Sequence, residues 1–579
     1  MNYALDIAKK QIVDLLKSKD IHDDIDIETP PENVKADFAV PLYKIAAKRR
    51  VNPQIIAEEI KEKIDLKNSM FLKVERSGAY LNFYLDTRKY NQSVLENIKK
   101  MGSDYGKSKD GKGKNIIIDY SSPNIAKPFS IGHLRSTVIG QALSNIYKFL
   151  GYKVIGDNHL GDWGTQFGKL LLAYDKWGSE KKLKKDPMKE SLKLYVKFHE
   201  ESKLDKKIED EARGWFKKLE DGDKKAIKLW QLFKDLSLAD FKRIYNMLEV
   251  KFDTEFGESF YQDKTKAIIK KCIKTKLAKW EIALEDDGKP NKKGEKVLVI
   301  NLKKYGIEAP LLLQKSDGTT LYATRDLAAI DYRIKKYKPE EILYVVGSEQ
   351  KLYFRQLFKV AELLGYKSKL THVDFGLIRI KDGKMSTREG KVILLEDVLS
   401  EAIKKVNDII NVRKLNNKEK ETISKIVGIG AIKYADLSQN RIHDIVFDWN
   451  KILDLKGNSG PYLQYQIVRI NSILEKTGGK SVNDIDPKLL NDEIEIKLIK
   501  DIAKYPEVVE NAKINNQPYV LADYLYNLSQ KFSHYYENIP VLKAKNSNLK
   551  NARLFLCKSL SNVLASGLEI LGIEFPEKM

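Results

Sequence analysis

The stretch Asn115–Gly140, NIIIDYSSPNIAKPFSIGHLRSTVIG, decides how the chain is read. Ile116 to Ile118 form an unbroken β-branched run bounded by charge, as expected for a strand covered on both faces of a parallel sheet. Ser, Pro and Asn then break the run. From Ile131 a helix is expected, because Ile139, Leu143, Ile146 and Leu150 recur at three and four residues, with Gly151 as its stop. Strand, turn and helix in that order bring unpaired N–H groups and a positive dipole end to the carboxyl edge of a sheet, where phosphate binds well. Gly132 lets a ligand approach the backbone, and His133 and Lys127 can donate to a phosphate oxygen. A lone Gly-His at a helix start is more often structural, so the surroundings must decide.

The chain's 579 residues exceed what one hydrophobic core organises, so three or more domains are expected. With 42% apolar and 32% charged residues it reads as a soluble globular protein, which excludes a disordered one. No apolar run nears the roughly 20 residues needed to cross a bilayer, so no membrane partner is expected. The N-terminal MNYALDIAKKQIVDLLKSKD is an amphipathic helix pattern without a signal-peptide core, which places the protein in the cytoplasm. Cys272 and Cys557 lie far apart without CxxC partners and suggest buried thiols, neither disulfides nor zinc. The net charge of +22 favours a polyanion, although lysine is spread through every segment.

In chain order, residues 1 to 110 read as a separate α/β module. Helices over Tyr3–Leu16 and Pro53–Ile64 flank KADFAVPLYKIAAKRR, and strands FLKVER and AYLNFYLD join through Ser77 and Gly78. Tyr80 and Asn82 share one strand face, as a plain sheet edge or as a stack-and-amide site for an unpaired base. Gly106–Asn115 has no apolar residue and makes a linker. YKVIGDNHLGDWGTQFGKL predicts a second strand, turn and helix, putting Asn158, His159 and Gln166 at the ligand side of an open α/β sheet. His159 can equally cap or pack. Residues 175 to 274 are charged and helical, an insertion whose Trp230 belongs to its own small core.

The second half of the fold follows. PLLLQKSDGTTLYATRD carries a strand, an Asp-Gly turn and the helix Thr324–Lys335, on which Tyr322 and Asp326 share a face if the helix reaches back that far. Asp326 at a helix start has a ready explanation as a dipole partner. A guanidinium, however, needs a carboxylate fork and welcomes an aromatic plane, which Asp326, Asp119 and Tyr322 supply. EILYVVGSEQKLYFRQLF is strand, turn and helix again. In VDFGLIRIKDGKMSTREGKVILLEDVL two apolar strands flank a polar, glycine-bounded loop with Lys384, Ser386 and Arg388. Beyond about Lys425 the chain reads as helical throughout, with Arg441, Tyr462, Gln464, Tyr465 and Arg469 mixing the basic, amide and aromatic character that RNA binding uses.

SSPNIAKPFSIGHLRST, with KMS at this distance after it, resembles the two signatures of class I aminoacyl-tRNA synthetases, and the arginyl-tRNA synthetase family in particular. The similarity covers nearly the whole chain and is weakest in the insertion. It implies an α/β fold in three parts: a small N-terminal tRNA-elbow domain (1–110), a Rossmann-type parallel-sheet catalytic domain (111–450) with a helical insertion at about 175–300, and an all-α anticodon-binding bundle (451–579). It implies ATP-dependent activation of L-arginine and transfer to the 3′ end of tRNA(Arg), with Mg²⁺ accompanying ATP, no tightly bound cofactor or resident metal, and a monomer. By matching positions, His133, Lys127 and Lys384 would be catalytic. Ser130, Gly132, Gly347, Met385 and Ser386 would join them on ATP. Asp119, Ser122, Asn124, His159, Tyr322, Asp326 and Gln350 would bind arginine, and Tyr80, Asn82, Arg441, Tyr462 and Gln464 would touch tRNA. Ser130 stands where the family signature usually has His, and Thr387 where it has a second Lys. Many arginyl enzymes share the second departure, with the lysine ahead of Gly-His, here Lys127, compensating. Two other readings compete: another class I synthetase or nucleotidyltransferase, which would leave Asp119 and Asp326 unpaired, and a catalytically silent RNA-binding relative.

Overall fold

A computed structural model describes residues 3–19, 21, 25–31, 33–125, 127–283, 291, 294–380, 393–411, 415–477 and 485–579. At its centre lies a four-stranded parallel sheet built from β1 (Asn115–Asp119), β2 (Lys153–Asp157), β3 (Glu341–Tyr344) and β4 (Lys369–His372), in the order β4-β3-β1-β2. Every residue from Ile116 to Asp119 is buried, as the apolar run requires of a strand with no solvent face. Alternate side chains feed two cores. Ile116, Ile118, Val154 and Leu343 pack into one, and Ile117, Ile155, Ile342 and Tyr344 into the other.

The connections are helical. Four carry the site: α1 (Leu134–Phe149), α2 (Thr165–Trp177), α3 (Tyr322–Tyr337) and α4 (Lys351–Leu363). Helix α1 carries β1 to β2 on one side, and α4 carries β3 to β4 on the other, so the strand order reverses between β1 and β3. Side chains at the carboxyl ends of those two strands therefore face a crevice that no connection fills, the usual ligand site of such sheets.

The sequence places most elements correctly, with four differences. The stretch expected to be a helical insertion up to residue 300 turns into an antiparallel sheet of Ala278–Ile282, Lys296–Ile300 and Leu311–Gln314, as the alternating KVLVI favours. Trp230 does not close a private core, since its Nε1 donates to the Asp162 carbonyl at 2.7 Å and its ring packs with Trp163. Of the strand expected after the polar loop, residues 391–392 lie outside the described residues, Leu394 bridges antiparallel to Ser130, and the helix Leu395–Ile410 takes over from there. Finally, Ile445–Phe447 interrupts the helical C-terminal half to pair in parallel with Ile378–Ile380.

The N-terminal module contains the expected strands Phe71–Ser77 and Tyr80–Leu85, with Phe38–Pro41 added on the far side of the latter. It is not detached. Lys9 pairs with Glu507 at 2.7 Å and Lys500 with Asp37, joining it to the C-terminal helices. The expected linker is likewise tied down, with Gly111 N–H donating to the Leu150 carbonyl at 3.1 Å. No helix among the described residues is long and apolar enough to cross a membrane.

Candidate active site

The first wall of the crevice is the turn after β1. Ser121 and Ser122 both adopt left-handed backbone, with φ of 70° and 46°. Two such residues in succession cost of order 1–3 kcal/mol each and persist only where their surroundings hold them. Here Ser121 N–H donates to Ser136 Oγ at 2.8 Å, Ser121 Oγ lies 2.8 Å from both Thr137 Oγ1 and Tyr245 Oη, and Ser122 N–H donates to Asn158 Oδ1 at 3.1 Å. Tyr245, from the last long helix of the insertion, had no signal in the sequence because its role lies wholly in this tertiary contact.

The chain then forms a 3₁₀ turn, Ile131–His133, leading into α1. Ser130 N–H donates to His133 Nδ1 at 3.1 Å, so Nδ1 is the bare nitrogen and Nε2 carries the proton. Burial pushes the His133 pKa down to about 4, with Lys127 lowering it further against a raising contact from the Ser130 backbone. A neutral imidazole that donates from Nε2 is the form suited to a phosphate oxygen. Gly132 is exposed, and a side chain there would meet only Ser130 Oγ at 3.4 Å, so its bareness serves no packing and leaves room for a ligand. Ser130, in place of the family's imidazole, keeps its hydroxyl 3.2 Å from His133 Nδ1. Lys127 lies with its Nζ 5.7 Å from the Tyr195 ring centroid, and burial lowers its pKa.

The second wall comes from β3 and α3. Asp326 accepts a hydrogen bond from Tyr353 Oη, and its Oδ1 lies 3.5 Å from His159 Nε2. His159 Nδ1 lies 3.1 Å from the Phe256 carbonyl and must donate to it, so Nε2 faces the carboxylate. Burial opposes the charge on His159, but Asp326 and Asp119 outweigh it and raise the pKa to about 9. Asp326 is correspondingly held below the ordinary carboxylate range: burial raises it, and His159, Tyr353 and Arg325 more than offset that. Tyr322, 52% exposed, stands edge-on to Tyr353 at 4.8 Å. Tyr353 and Glu258, which pairs with Arg325 at 2.6 Å, join the site without having been anticipated. Gly347 is buried at the end of β3, and Gln350 is exposed at the start of α4.

The expected carboxylate fork is divided. Asp119 Oδ2 accepts from Arg333 Nη2 at 2.7 Å, and the same guanidinium holds Asp157 at 2.5 Å. Asp119 Oδ1 accepts from Ser122 Oγ at 2.9 Å. Asp119 and Asp157 are register partners on adjacent strands, and two buried carboxylates so close need a cation between them. Arg333 was missed, although it lies seven residues after Asp326 and hence on the same face of α3. Asn124 is exposed beside Gly161, whose N–H and carbonyl pair with Pro123 and Ile125.

Lys384, Met385 and Ser386 lie outside the described residues. Both flanks of their loop are anchored: Ile131 N–H donates to the Ile393 carbonyl at 3.1 Å, and Gly376 N–H to that of Arg441 at 2.9 Å. Of the residues expected at tRNA, Tyr80 is half-buried beside exposed Tyr43, whereas Asn82 is only 7% exposed. Gln464 is fully buried, with Nε2 donating to the Glu574 carbonyl at 2.6 Å, so its amide serves the bundle interior and reaches no ligand in this conformation. Arg441 is similarly engaged with Asp374 and the Asn516 carbonyl, and Tyr462 is 8% exposed beside Tyr526. Tyr465 is 37% exposed, and Arg469 lies over the Tyr536 ring at 4.2 Å.

Comparison with known proteins defines the class first. Residues 94–449 match the catalytic domain of the class I tRNA synthetases (R), residues 463–579 the DALR anticodon binding domain, and residues 5–85 the arginyl tRNA synthetase N-terminal domain. The arginine–tRNA ligase of Halothermothrix orenii is 43% identical, covering 99% of both chains, and that of Alkaliphilus metalliredigens is 43% identical, covering 96% of this chain and 95% of the relative. The arginyl-tRNA synthetase structure from Plasmodium falciparum superposes with a TM-score of 0.80 at 27% identity, covering 99% of this chain and 98% of the other. That from Thermus thermophilus superposes equally well, TM-score 0.80, at 24% identity with 98% and 99% covered, and supports the fold. The chain belongs to the arginyl-tRNA synthetase family.

Proposed function

We infer that the chain is an arginine–tRNA ligase whose guanidinium-reading carboxylate is Asp326. The observation that carries this is the contrast between the two aspartates. Asp119 already has an internal guanidinium and a hydroxyl, while Asp326 faces the crevice with a tyrosine hydroxyl and a histidine as partners. An incoming guanidinium would find in Asp326 a charge-assisted acceptor beside the exposed Tyr322 ring. Asp119, Ser122, Asn124 and Gln350 then belong to the amino and carboxylate end of arginine, nearer the His133 turn.

The reaction runs in two steps. The arginine carboxylate attacks the α-phosphorus of ATP, forming arginyl-adenylate and releasing pyrophosphate. The terminal ribose hydroxyl of tRNA(Arg) then attacks the mixed anhydride, and AMP leaves. His133 donates from Nε2, and Lys127 and Lys384 supply cations from either side of the phosphates. Each such donor is worth about 3 kcal/mol by comparison with oxyanion donors, roughly 100-fold. Ser130, Gly132, Gly347, Met385 and Ser386 line the nucleotide. Mg²⁺ comes with ATP, held by phosphate oxygens and water. The protein works as a cytoplasmic monomer. In the tRNA complex, Tyr80 with Asn82 takes the elbow and the C-terminal bundle takes the anticodon, through the exposed Tyr465 and Arg469 side of the helix that carries Tyr462.

Aminoacylation of tRNA with each of the twenty amino acids tests the reading: arginine alone should be charged. Asp326→Asn should lower kcat/KM for arginine by about 100-fold or more, the value of a buried charge-assisted pair, while the KM for ATP holds. Unchanged arginine kinetics would remove Asp326 from the pocket.

A further inference from the structure

Two residues beyond His133, Arg135 enters the interior and is 1% exposed. Its Nε donates to Asp436 Oδ2 at 3.0 Å, and its Nη1 donates to two carbonyls, Gly376 and His443, each at 2.8 Å. The Gly376 contact matters because of its neighbour. The Phe375 carbonyl accepts from Ser348 N–H at 2.9 Å, and Phe375 bridges in parallel to Gly347 at the end of β3. Arg135 therefore begins on the helix that carries the His133 wall and ends on the segment that holds the Gly347 wall. Asp436 fixes the guanidinium from the helix Asn417–Leu437.

We propose that Arg135 is a positioning residue for adenylate formation, setting the spacing between the His133 and Gly347 walls through its bonds to the Gly376 and His443 carbonyls. The energetics favour a positioning role over a stabilising one. A buried ion pair repays its desolvation only when every polar atom is satisfied, and among the described residues neither Arg135 Nη2 nor Asp436 Oδ1 has a hydrogen-bond partner. An apolar pair of similar volume would fill the space with less penalty, but it would leave the two carbonyls unheld. Lysine would keep the charge, yet it lacks the planar fork that reaches a carboxylate and two carbonyls together.

The proposal rests on the crevice being the nucleotide site, and the test separates the two. ATP–pyrophosphate exchange is measured with arginine and tRNA(Arg) present for Arg135→Lys, for the double variant Arg135→Met/Asp436→Leu, and for His133→Asn. Both Arg135 variants should lose about 100-fold in kcat, the scale set by a misplacement of about 1 Å, with the KM for arginine unchanged. Parental kcat in the double variant, or in Arg135→Lys, would overturn the proposal, because charge balance alone would then account for the residue. A rise in the KM for arginine that matches the loss in kcat/KM would overturn it too. Should the double variant fail to fold, Arg135→Lys decides alone. Full exchange activity in His133→Asn would instead discard the nucleotide site itself.

Discussion

His133, in the turn after β1, and His159, just after β2, are driven in opposite directions. Burial dominates at His133, whose Nδ1 is already filled by the Ser130 N–H, and the ring stays neutral. At His159 the facing carboxylates overcome burial, and the ring is charged at neutral pH. The consequences for stability have opposite signs. His133 has a folded pKa of about 4, below its unfolded value, so stability is lost as pH falls from about 6.5 toward 4. His159 has a folded pKa of about 9, so its contribution is complete below about 6.5 and is lost as pH rises toward 9. Each effect is of order 3 kcal/mol at its limit. Denaturant titrations across pH 4 to 10 should give His133→Gln a flatter acid limb and His159→Gln a flatter alkaline limb. Parallel curves for both variants and the parent would contradict these protonation states.

At the scale of elements, α1 lies so close to the end of β1 that Gly140 has no room for a side chain. A Cβ there would fall 2.3 Å from Tyr120 Cβ and Cγ, atoms fixed beside the backbone. Alanine would gain roughly 1 kcal/mol of helix propensity, but overpacking of this kind costs about 1–3 kcal/mol and the contact has no flexible end to yield. Gly140→Ala should therefore lower the thermal midpoint and, by displacing Tyr120, disturb the Ser121–Ser122 turn and slow exchange. A raised midpoint with full activity would mean that the helix shifts freely. This packing could be read from sequence only as a helix pattern, since the 3.6-residue period locates a face without naming what covers it. The turn's support from Tyr245 was invisible for the same reason: more than a hundred residues of chain separate the partners.

For the whole molecule, the C-terminal helices do more than present a surface to RNA. Asn145 Nδ2 donates to the Ile570 carbonyl at 3.1 Å, and Tyr147 Oη to Asn516 Oδ1 at 3.1 Å, so the C-terminal end of α1 is held by the bundle. The net charge of +22 acts on the same scale. If six or more cations neutralise tRNA phosphates, raising salt from about 50 to 200 mM should weaken tRNA binding about 1000-fold or more. Exchange at saturating arginine, ATP and tRNA should change little, since its groups lie inside the crevice. An equal loss in both assays would mean that salt acts on the fold and not on the tRNA interface.

Local patterning by itself determined the β1 strand, the Gly132–His133 turn, the order of strands and helices around it, and the similarity to one synthetase family, because periodicity and short motifs are encoded in neighbouring residues. It also named Asp326 and Tyr322 as a pair, four apart on one helix. Only the tertiary structure decided that Asp119 belongs to Arg333, that Tyr353 completes the Asp326 pocket, and that Gln464 faces inward. Those outcomes depend on which distant charge or carbonyl fills each buried polar group, and desolvation makes that choice only once the chain has closed around it.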